Sequence, residues 1–576
     1  MPYDAMEQSA PYLRIAAPDR LTLSACATDV AAFSEWLGAL PRHQLGIVAQ
    51  QLSTMLLELN RLHATPALLL QLLDRLRTDV QTTCHQLDGK VAQTSMQDER
   101  TRKVVTLCQA LQTQLAAGYK RVALECLRGL DRDDALATQA LQRALSTLGG
   151  PLLRTARRYC HAPTGLWLEA HQLHGLARQH ALHSTPAPDD LIAVGHQSID
   201  EAYLALLLFG SARTNQLRPY AIEIVYTWLR DNSSRAYLTP ANHSECRFIV
   251  AAGEDTAPRD KQSISLDSDA KLGIVTTSLI ASLSSDTDTS AKRLGADVTA
   301  HLQRTWTQCA RRRFNRTPGQ GTLRVCVGMA AVHTLFADGE SFAAQLKSTA
   351  RDRTARFRLN NDADVWAEAL TGEAPTDWLG MPSEKVEFRV TAEEATPEKI
   401  EHFEPEILDH GPGGYCLRWP DDTPAVPLSG EILAVQDLQH RWTLAVVRWI
   451  SRHRLDTRMG IQLIAPNAQP CGLRLIQKIG EQTEYVRALL IPENALLSRP
   501  AMIITPRLPF QEQSKVSVNL RGEERRALLI EQHDATASFS QFTFRWLAAM
   551  GEITDDTGLS LAPRTPSSSA PSIWTR

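Results

Sequence analysis

The stretch that decides the fold of the C-terminal half is residues 311–327, RRRFNRTPGQGTLRVCV. An arginine-rich start is followed by a hinge of proline and glycine and then by a short β-type run at residues 323–327. Planar guanidinium groups bind a phosphate, or the Hoogsteen edge of guanine, through two hydrogen bonds. The stretch therefore predicts a mobile cationic segment at the mouth of a sheet, with Arg312, Arg313 and Arg316 as candidate ligand-binding residues.

A second feature is the glycine-rich stretch 409–415, DHGPGGY, which we expect to be a turn between strands. Gly411 and Gly414 allow a backbone to approach a ligand closely or to adopt a positive φ. Asp409 supplies an acceptor suited to the N1–H and N2 edge of guanine. Each feature is weak alone, because either one is also explained by a helix cap or a simple turn.

The spacing Arg-x-x-x-Arg recurs in this chain, so only its position carries weight. It also occurs at Arg128/Arg132, Arg154/Arg158, Arg454/Arg458 and Arg521/Arg525. Only the Arg312/Arg316 instance abuts the first predicted strand of the β-rich region.

Outward from these features, the pattern predicts eleven short strands in one or two small antiparallel barrels. The strands are expected at residues 323–327, 415–419, 431–435, 444–450, 460–464, 473–477, 485–491, 501–504, 515–520, 526–531 and 541–546. An insertion at about residues 338–397 interrupts them, and the Pro- and Ser-rich tail 551–576 is expected to be disordered.

The N-terminal half predicts an irregular array of helices. Thr65 occupies an N-cap position, and Pro66 follows at the first helical position. Helices are expected at residues 45–64, 66–87, 103–117, 121–129, 134–148, 151–159, 166–182, 199–212 and 219–231. The resulting α+β multidomain layout is an N-terminal segment (1–30), a helical array (31–240), a junction (241–310), a β-barrel (311–465), a second β-rich domain (466–550) and the tail.

Composition excludes several classes of protein. With 43% hydrophobic and 22% charged residues the chain folds, and a net charge of −3 recruits neither a nucleic acid polymer nor anionic lipid. No apolar stretch approaches the length of a membrane span, and the ten cysteines are scattered, which indicates a cytoplasmic protein without membrane insertion.

Motifs of common enzymes are absent: there is no phosphate loop, zinc-protease helix, nucleophile elbow or dinucleotide fingerprint. His171 and His174 lie one helical turn apart, yet no further ligand joins them, so a surface or interface pair is favoured over a metal site. We expect no catalytic residues, no metal and no cofactor.

Together, these motifs resemble the PilZ domain. The order is Arg-x-x-x-Arg, the stretch at residues 409–414, then Gly430-Glu431, Val447-Arg448 and Gly460-Ile461-Gln462-Leu463. The resemblance covers about residues 311–465 and implies a six-stranded antiparallel barrel that serves in bacteria as a receptor module for cyclic di-GMP. It implies that Arg312 and Arg316 belong to the switch segment, that Asp409 and Gly414 end the second motif, and that Arg448 lies on the penultimate strand.

This sequence departs from the family pattern at two points. Gly411 stands where the family has serine, and Arg316 and Asp409 are 93 residues apart because of the insertion. The leading hypothesis is a cyclic di-GMP-binding adaptor whose output passes through the helical half to an unidentified protein partner. The alternative is a ligand-independent interaction scaffold with a degenerate barrel; an enzyme is the third and weakest reading. The oligomeric state is left open.

Overall fold

The structure is a computed structural model that describes most of the chain. The described residues are 13, 15, 17–92, 98–129, 132–263, 271–285, 289–308, 315–346, 400–420, 426–436, 441–453, 456–476, 483–494 and 499–547. The predicted tail and most of the predicted insertion lie outside these residues. The predicted fold class is confirmed, since a helical half precedes two β-barrels.

The N-terminal half is built of packed helices around one large apolar core. They are α1 (Val30–Gly38), α2 (Leu45–Leu59), α3 (Pro66–Lys90), α4 (Glu99–Arg128), α5 (Asp134–Arg157), α6 (Leu166–Gln179), α7 (Ile199–Ser211) and α8 (Pro219–Asn232). Thr65 caps α3 as predicted, since its hydroxyl accepts a hydrogen bond from the Leu68 amide at 3.4 Å.

Two predicted helix breaks are wrong, because α4 and α5 each run through glycines that serve packing. A Cβ at Gly118 would lie 2.8 Å from Asn60 Oδ1. A Cβ at Gly149 would lie 1.8 Å from the Tyr226 hydroxyl, and one at Gly150 would lie 2.0 Å from Gln112 Nε2. These glycines mark close side-chain approaches between helices rather than helix ends.

Short strands also interrupt the half that was expected to be entirely helical, and others lie at the junction. A two-stranded hairpin joins β1 (Pro186–Pro188) and β2 (His196–Ser198). A four-stranded sheet follows, made of β3 (Tyr237–Pro240), β4 (Phe248–Ala251), β5 (Arg259–Asp260) and β6 (Lys271–Val275). Three further helices, α9 (Thr277–Leu283), α10 (Thr289–Lys292) and α11 (Ala296–Thr307), complete the junction.

The middle region forms an antiparallel barrel. Its strands are β7 (Thr317–Pro318), β8 (Arg324–Val327), β9 (Glu406–Gly411), β10 (Gly414–Trp419), β11 (Ile432–Gln436), β12 (Trp442–His453) and β13 (Asp456–Ala465), in the order β7-β9-β10-β13-β12-β11-β8. Val325 and Phe403 exchange two backbone hydrogen bonds of 2.8 Å, and the Leu323 amide donates to the Pro405 carbonyl at 3.0 Å. Because β7 and β8 are parts of one extended segment, these bonds close the sheet on itself.

The last region is a closed barrel packed against the middle one. Its strands are β14 (Gln469–Leu475), β15 (Val486–Ile491), β16 (Met502–Pro506), β17 (Lys515–Leu520), β18 (Glu523–Ala535) and β19 (Phe539–Trp546). Along β11 and β12 successive side chains alternate: Leu433 and Val447 face the middle barrel's interior, whereas Ala434 and Val446 pack on the second barrel. Helices α12 (Met329–Phe336) and α13 (Phe342–Gln345) also lie against the second barrel, where the His333 imidazole contacts the Cys471 carbonyl at 3.2 Å.

A buried arginine joins the three regions. Arg218, 3% exposed, donates from Nε to the Ser429 carbonyl at 3.3 Å and from Nη2 to the Ser538 hydroxyl. The Ser429 hydroxyl in turn donates to the Gln216 carbonyl at 2.8 Å. Burial lowers the pKa of the Arg218 guanidinium, and the Glu431 carboxylate opposes that shift. The helical half, the middle barrel and the second barrel therefore share one hydrogen-bonded contact.

The histidine pair of α6 is buried, so the prediction of a surface or interface pair is wrong. His171 is 3% exposed and contacts the Tyr203 hydroxyl at 2.6 Å, while His174 is 2% exposed and contacts Asp200 Oδ1 at 2.7 Å. Tyr203 stacks on His174 at 4.1 Å between ring centroids. These imidazoles satisfy polar groups within the core.

Replacing Arg218 is expected to loosen the junction. Arg218→Ala removes hydrogen bonds to both barrels and a nearby positive charge that favours the ionised Glu431 carboxylate, which we expect to cost about 2–4 kcal/mol. Thermal unfolding and limited proteolysis of the full chain measure this as a lower unfolding midpoint and new cleavage between regions. Arg259→Ala, which removes an arginine of an exposed ion pair with Glu254, is the control and should change little. An unchanged midpoint in Arg218→Ala would refute this role.

Stability is expected to fall on acidification. Burial lowers the pKa of His171 and of His333 from 6.5 to about 4. Each imidazole stays neutral when folded but is protonated when unfolded, so its stabilisation is complete above about pH 6.5 and is lost toward pH 4, at up to about 3 kcal/mol per residue.

Unfolding midpoints measured across this pH range test the expectation. His333→Gln, whose amide can still donate to the Cys471 carbonyl, should show a smaller drop than the wild type. His85→Gln, at an exposed side chain, should show the full drop. An equal pH dependence in all three proteins would contradict the assignment.

Candidate ligand-binding site on the middle barrel

The glycine-rich stretch is the tip of a hairpin between β9 and β10. Gly411 pairs with Gly414, and Asp409 pairs with Cys416, so Pro412 and Gly413 alone form the turn. The expectation that Asp409 lies in a turn is therefore wrong, because it lies on a strand. The sequence pattern missed β9 because Ile407 is its only fully buried residue, which leaves no apolar alternation to detect.

Gly414 lies where the hairpin meets β13. It pairs with Gln462 at a φ of 152°. A Cβ at this position would lie 2.0 Å from the Ile461 carbonyl oxygen. Only glycine fits, so the hairpin depends on this residue for its closeness to the neighbouring strand.

Gly411 faces the cationic segment. A Cβ there would lie 3.1 Å from the Asn315 carbonyl oxygen, a tight contact, and about 4.0 Å from Arg316 Cγ. The missing side chain therefore lets the backbone before β7 lie directly against the hairpin. This close approach gives a physical account of a glycine where the PilZ pattern has serine.

The segment and the hairpin meet through both backbone and side chains. Thr317 pairs with His410 and Pro318 with Asp409 in the antiparallel register of β7 and β9. The Arg316 guanidinium forms an ion pair with the Asp409 carboxylate. The two side chains are 28% and 35% exposed, so both charges are accessible from solvent. Two motifs that are 93 residues apart in sequence thus form one site.

Arg448 lies on β12 and contacts the hairpin through β13. Its Nε donates to Gln462 Oε1 at 2.7 Å, and Gln462 is the backbone partner of Gly414. Its Nη2 donates to Asp534 Oδ2 at 2.6 Å, and Asp534 lies on β18 of the second barrel. A β-bulge between Val447 and Trp449 places Arg448 out of the regular pairing. Arg448 therefore connects the hairpin to the second barrel.

Arg312 and Arg313 lie outside the described residues, as does all of 309–314. The described residues begin again at Asn315, one residue before Arg316. The remaining candidates, Arg316, Asp409, Gly411 and Gly414, come together at the hairpin, with Arg448 next to them through Gln462.

The helix that precedes the cationic segment is fastened to the helical half. In α11, Trp306 is 1% exposed, and its indole nitrogen donates to the Ser211 hydroxyl at 3.1 Å. The His301 imidazole contacts the Ala212 carbonyl at 2.9 Å. Asp297 pairs with Arg507 of the second barrel at 2.6 Å. The segment therefore runs from a helix held by two other regions to the hairpin of the middle barrel.

Sequence reasoning missed two polar residues at the site. Gln462 was noted only as part of a strand motif, because its position opposite Gly414 depends on the register between β10 and β13. Asp534 could not be found from sequence, because only the packing of the two barrels brings it to Arg448.

The site offers a cation and an anion that are both half-buried and reachable from solvent, a combination suited to a ligand with both phosphate and base edges. Among the described residues, no group of three histidine, cysteine, aspartate or glutamate side chains converges as a metal site would require. No helix of the described part of the chain has the length and apolar character needed to cross a bilayer.

Comparison with known proteins agrees with this architecture. Three domain families match in succession: "Cyclic-di-GMP receptor FimW, N-terminal domain" at residues 31–242, "Cyclic-di-GMP receptor FimW, middle PilZ domain" at residues 247–470, and "FimW C-terminal beta-barrel domain" at residues 471–547. The middle match confirms the PilZ resemblance.

The curated relative "Cyclic-di-GMP receptor FimW" of Pseudomonas aeruginosa is 39% identical over 581 aligned residues, which cover 94% of each chain. No solved structure matches the chain. With all three domains matched in order and the alignment extending over nearly the full length, the chain belongs to the FimW family, with a middle PilZ domain.

Proposed function

We propose that this protein is a cyclic di-GMP receptor that binds the dinucleotide at the hairpin of its middle barrel and acts by binding rather than catalysis. The observation that carries the proposal is the meeting of Arg316 and Asp409 at Gly411. The name of the 39% identical relative supports the choice of ligand. In this proposal the arginine forks bind phosphate or guanine N7 and O6, and Asp409 accepts from the guanine N1–H and N2 edge.

Binding here is an exchange of partners. The Arg316–Asp409 ion pair is partly exposed to solvent, which screens it, so we expect it to contribute about 1 kcal/mol. Hydrogen bonds to charged groups contribute about 1.5–3 kcal/mol each. A ligand that forms hydrogen bonds with both side chains therefore gains more free energy than is lost by breaking their ion pair. Without ligand, the ion pair holds Arg316 and Asp409 next to each other.

Arg312 and Arg313 complete the cationic side of the proposed site. They precede Arg316 on a segment that begins where α11 ends, so folding this segment over a ligand changes the chain that leaves α11. Trp306 and His301 attach α11 to the end of α7. We infer that the signal passes by this route to the helical half, whose surface then binds a protein partner.

Arg448 gives the second barrel a part in the same event. If its guanidinium turns toward the ligand, Asp534 loses its ion-pair partner, and the contact between the barrels weakens at that point.

A cytoplasmic location is part of the proposal: the nine described cysteines are all free thiols, as in a reducing compartment.

The alternative, a scaffold that needs no ligand, draws on the same contacts. Both Arg316 and Arg448 already have carboxylate partners within the protein, and Gly411 lacks the hydroxyl of the PilZ pattern. Direct binding measurements separate the two functions.

Calorimetry with cyclic di-GMP and the full chain is expected to show micromolar binding. Arg316→Ala and Asp409→Ala each remove one side of the site and should weaken binding about tenfold or more. Arg418→Ala is the matched control: Arg418 lies on β10 near the hairpin's opposite end and pairs with Glu406 and Asp456. It should bind like the wild type. No heat with the wild-type protein would favour the scaffold, and full binding by both site variants would place the ligand elsewhere.

Hydrogen–deuterium exchange with and without cyclic di-GMP tests the route to the helical half. We expect altered exchange at the hairpin, in α11 and at the end of α7, because these elements are linked through the cationic segment. The Arg316→Ala protein at the same ligand concentration should show none of these changes. Changes confined to the middle barrel of the wild type would contradict output through the helical half.

A further inference from the structure

The helical half contains a cavity that the proposed cyclic di-GMP site does not use. Its volume is about 240 Å³, and it lies between α3, α4, α5 and α8. Its walls combine charged and polar side chains with a few apolar ones. A volume below about 300 Å³ is small for a drug-sized molecule, so the space suits a compact ligand rather than a dinucleotide.

Arginines outnumber carboxylates in the walls of the cavity. Five arginines from three helices line the cavity, Arg77, Arg154, Arg157, Arg158 and Arg230, against the two carboxylates Asp88 and Glu223. Arg77 and Arg154 are buried, with side chains 5% and 4% exposed. Guanidinium groups are costly to bury, and these five converge on one cavity, where an anion would add charge-assisted hydrogen bonds.

The internal carboxylates neutralise only part of this charge. Arg154 Nε pairs with Asp88 at 2.8 Å, and Arg157 Nη1 pairs with Glu223 at 3.1 Å. Arg77 Nη1 pairs with Asp189 at 2.7 Å, and Arg230 Nε lies 3.5 Å from Asp231 Oδ1. The Nε of Arg77 is buried and has no hydrogen-bond partner among the described residues.

Arg158 is the least compensated of the five. Its Nη2 donates to the Val91 carbonyl at 3.0 Å, and within the described part of the chain no carboxylate lies at ion-pair distance from it. Burial lowers the pKa of the Arg158 guanidinium, and the neighbouring Arg157 and Arg154 lower it further, while Asp88 opposes the shift. An anion in the cavity would relieve this repulsion.

A simpler explanation is that these arginines cap α5, since cations are favoured at a helix C-terminus. That explanation covers Arg154, Arg157 and Arg158, which lie in or next to the last turn of α5. Arg230 lies in the last turn of α8, where the same explanation holds. It does not cover Arg77, which lies in the interior of α3 and reaches the same cavity.

We propose that this cavity binds a small phosphorylated ligand, held by bidentate hydrogen bonds from its arginines to a terminal phosphate. Its position gives such a ligand access to the domain junction. Tyr159, next to Arg158, accepts a hydrogen bond of 2.7 Å from the Arg452 amide of the middle barrel. Pro219, which lines the cavity, follows Arg218 at the contact between the three regions.

Calorimetry and thermal shift on the full chain test this with pyrophosphate as the probe, at constant ionic strength maintained with chloride. We expect millimolar or tighter binding and a higher unfolding midpoint. Arg157→Gln and Arg158→Gln should each weaken pyrophosphate binding about fivefold to tenfold while the apo protein stays folded. Arg100→Gln, at an exposed position on α4, is the matched control and should bind normally.

The test is independent of the cyclic di-GMP proposal, because Arg316→Ala should retain full pyrophosphate binding. The inference would be overturned if the folded wild-type protein did not bind pyrophosphate, or if both cavity variants bound it as tightly as the wild type. Loss of binding in Arg316→Ala with retention in the cavity variants would also overturn it, because the anion would then occupy the barrel site.

Discussion

The architecture of the middle region depends on the pairing of the extended segment at residues 317–327 with residues 403–411. These backbone hydrogen bonds close the barrel, and they also fix where the cationic segment ends. The pairing of β7 with β9 places Arg316 next to Asp409, although an insertion separates the two residues in sequence. Barrel closure and site assembly are therefore the same event.

The barrel is also constrained from outside. Alternate residues of β11 and β12 fill its interior and its interface with the second barrel. A displacement of these strands would therefore disturb the packing of both cores. Arg218 adds the helical half to this contact through Ser429 and Ser538. The proposed site is thus connected to both neighbouring regions. The chain links it to α11, and Arg448 links it to Asp534 of the second barrel.

The sequence predicted the order of the regions and most strands, because helical and β-type periodicities are local properties. The sequence also singled out Arg316, Asp409, Gly411 and Gly414, whose motifs are short and contiguous, and the structure brings these four residues together. It missed β9, which lacks apolar alternation, and it divided α4 and α5 at glycines that in fact admit side chains such as Tyr226 and Gln112. The partners Asp534 and Ser538 depend on how the barrels pack, and no local pattern records that.

In the proposed function, Arg316 and Asp409 break their mutual ion pair and both bind the same dinucleotide. A structure of the full chain with cyclic di-GMP tests it most directly. The account predicts that the Arg316 guanidinium lies within hydrogen-bond distance of a phosphate or guanine edge, with Asp409 on a guanine N1–H and the ion pair broken. A dinucleotide bound away from the hairpin, with the Arg316–Asp409 pair intact, would contradict it.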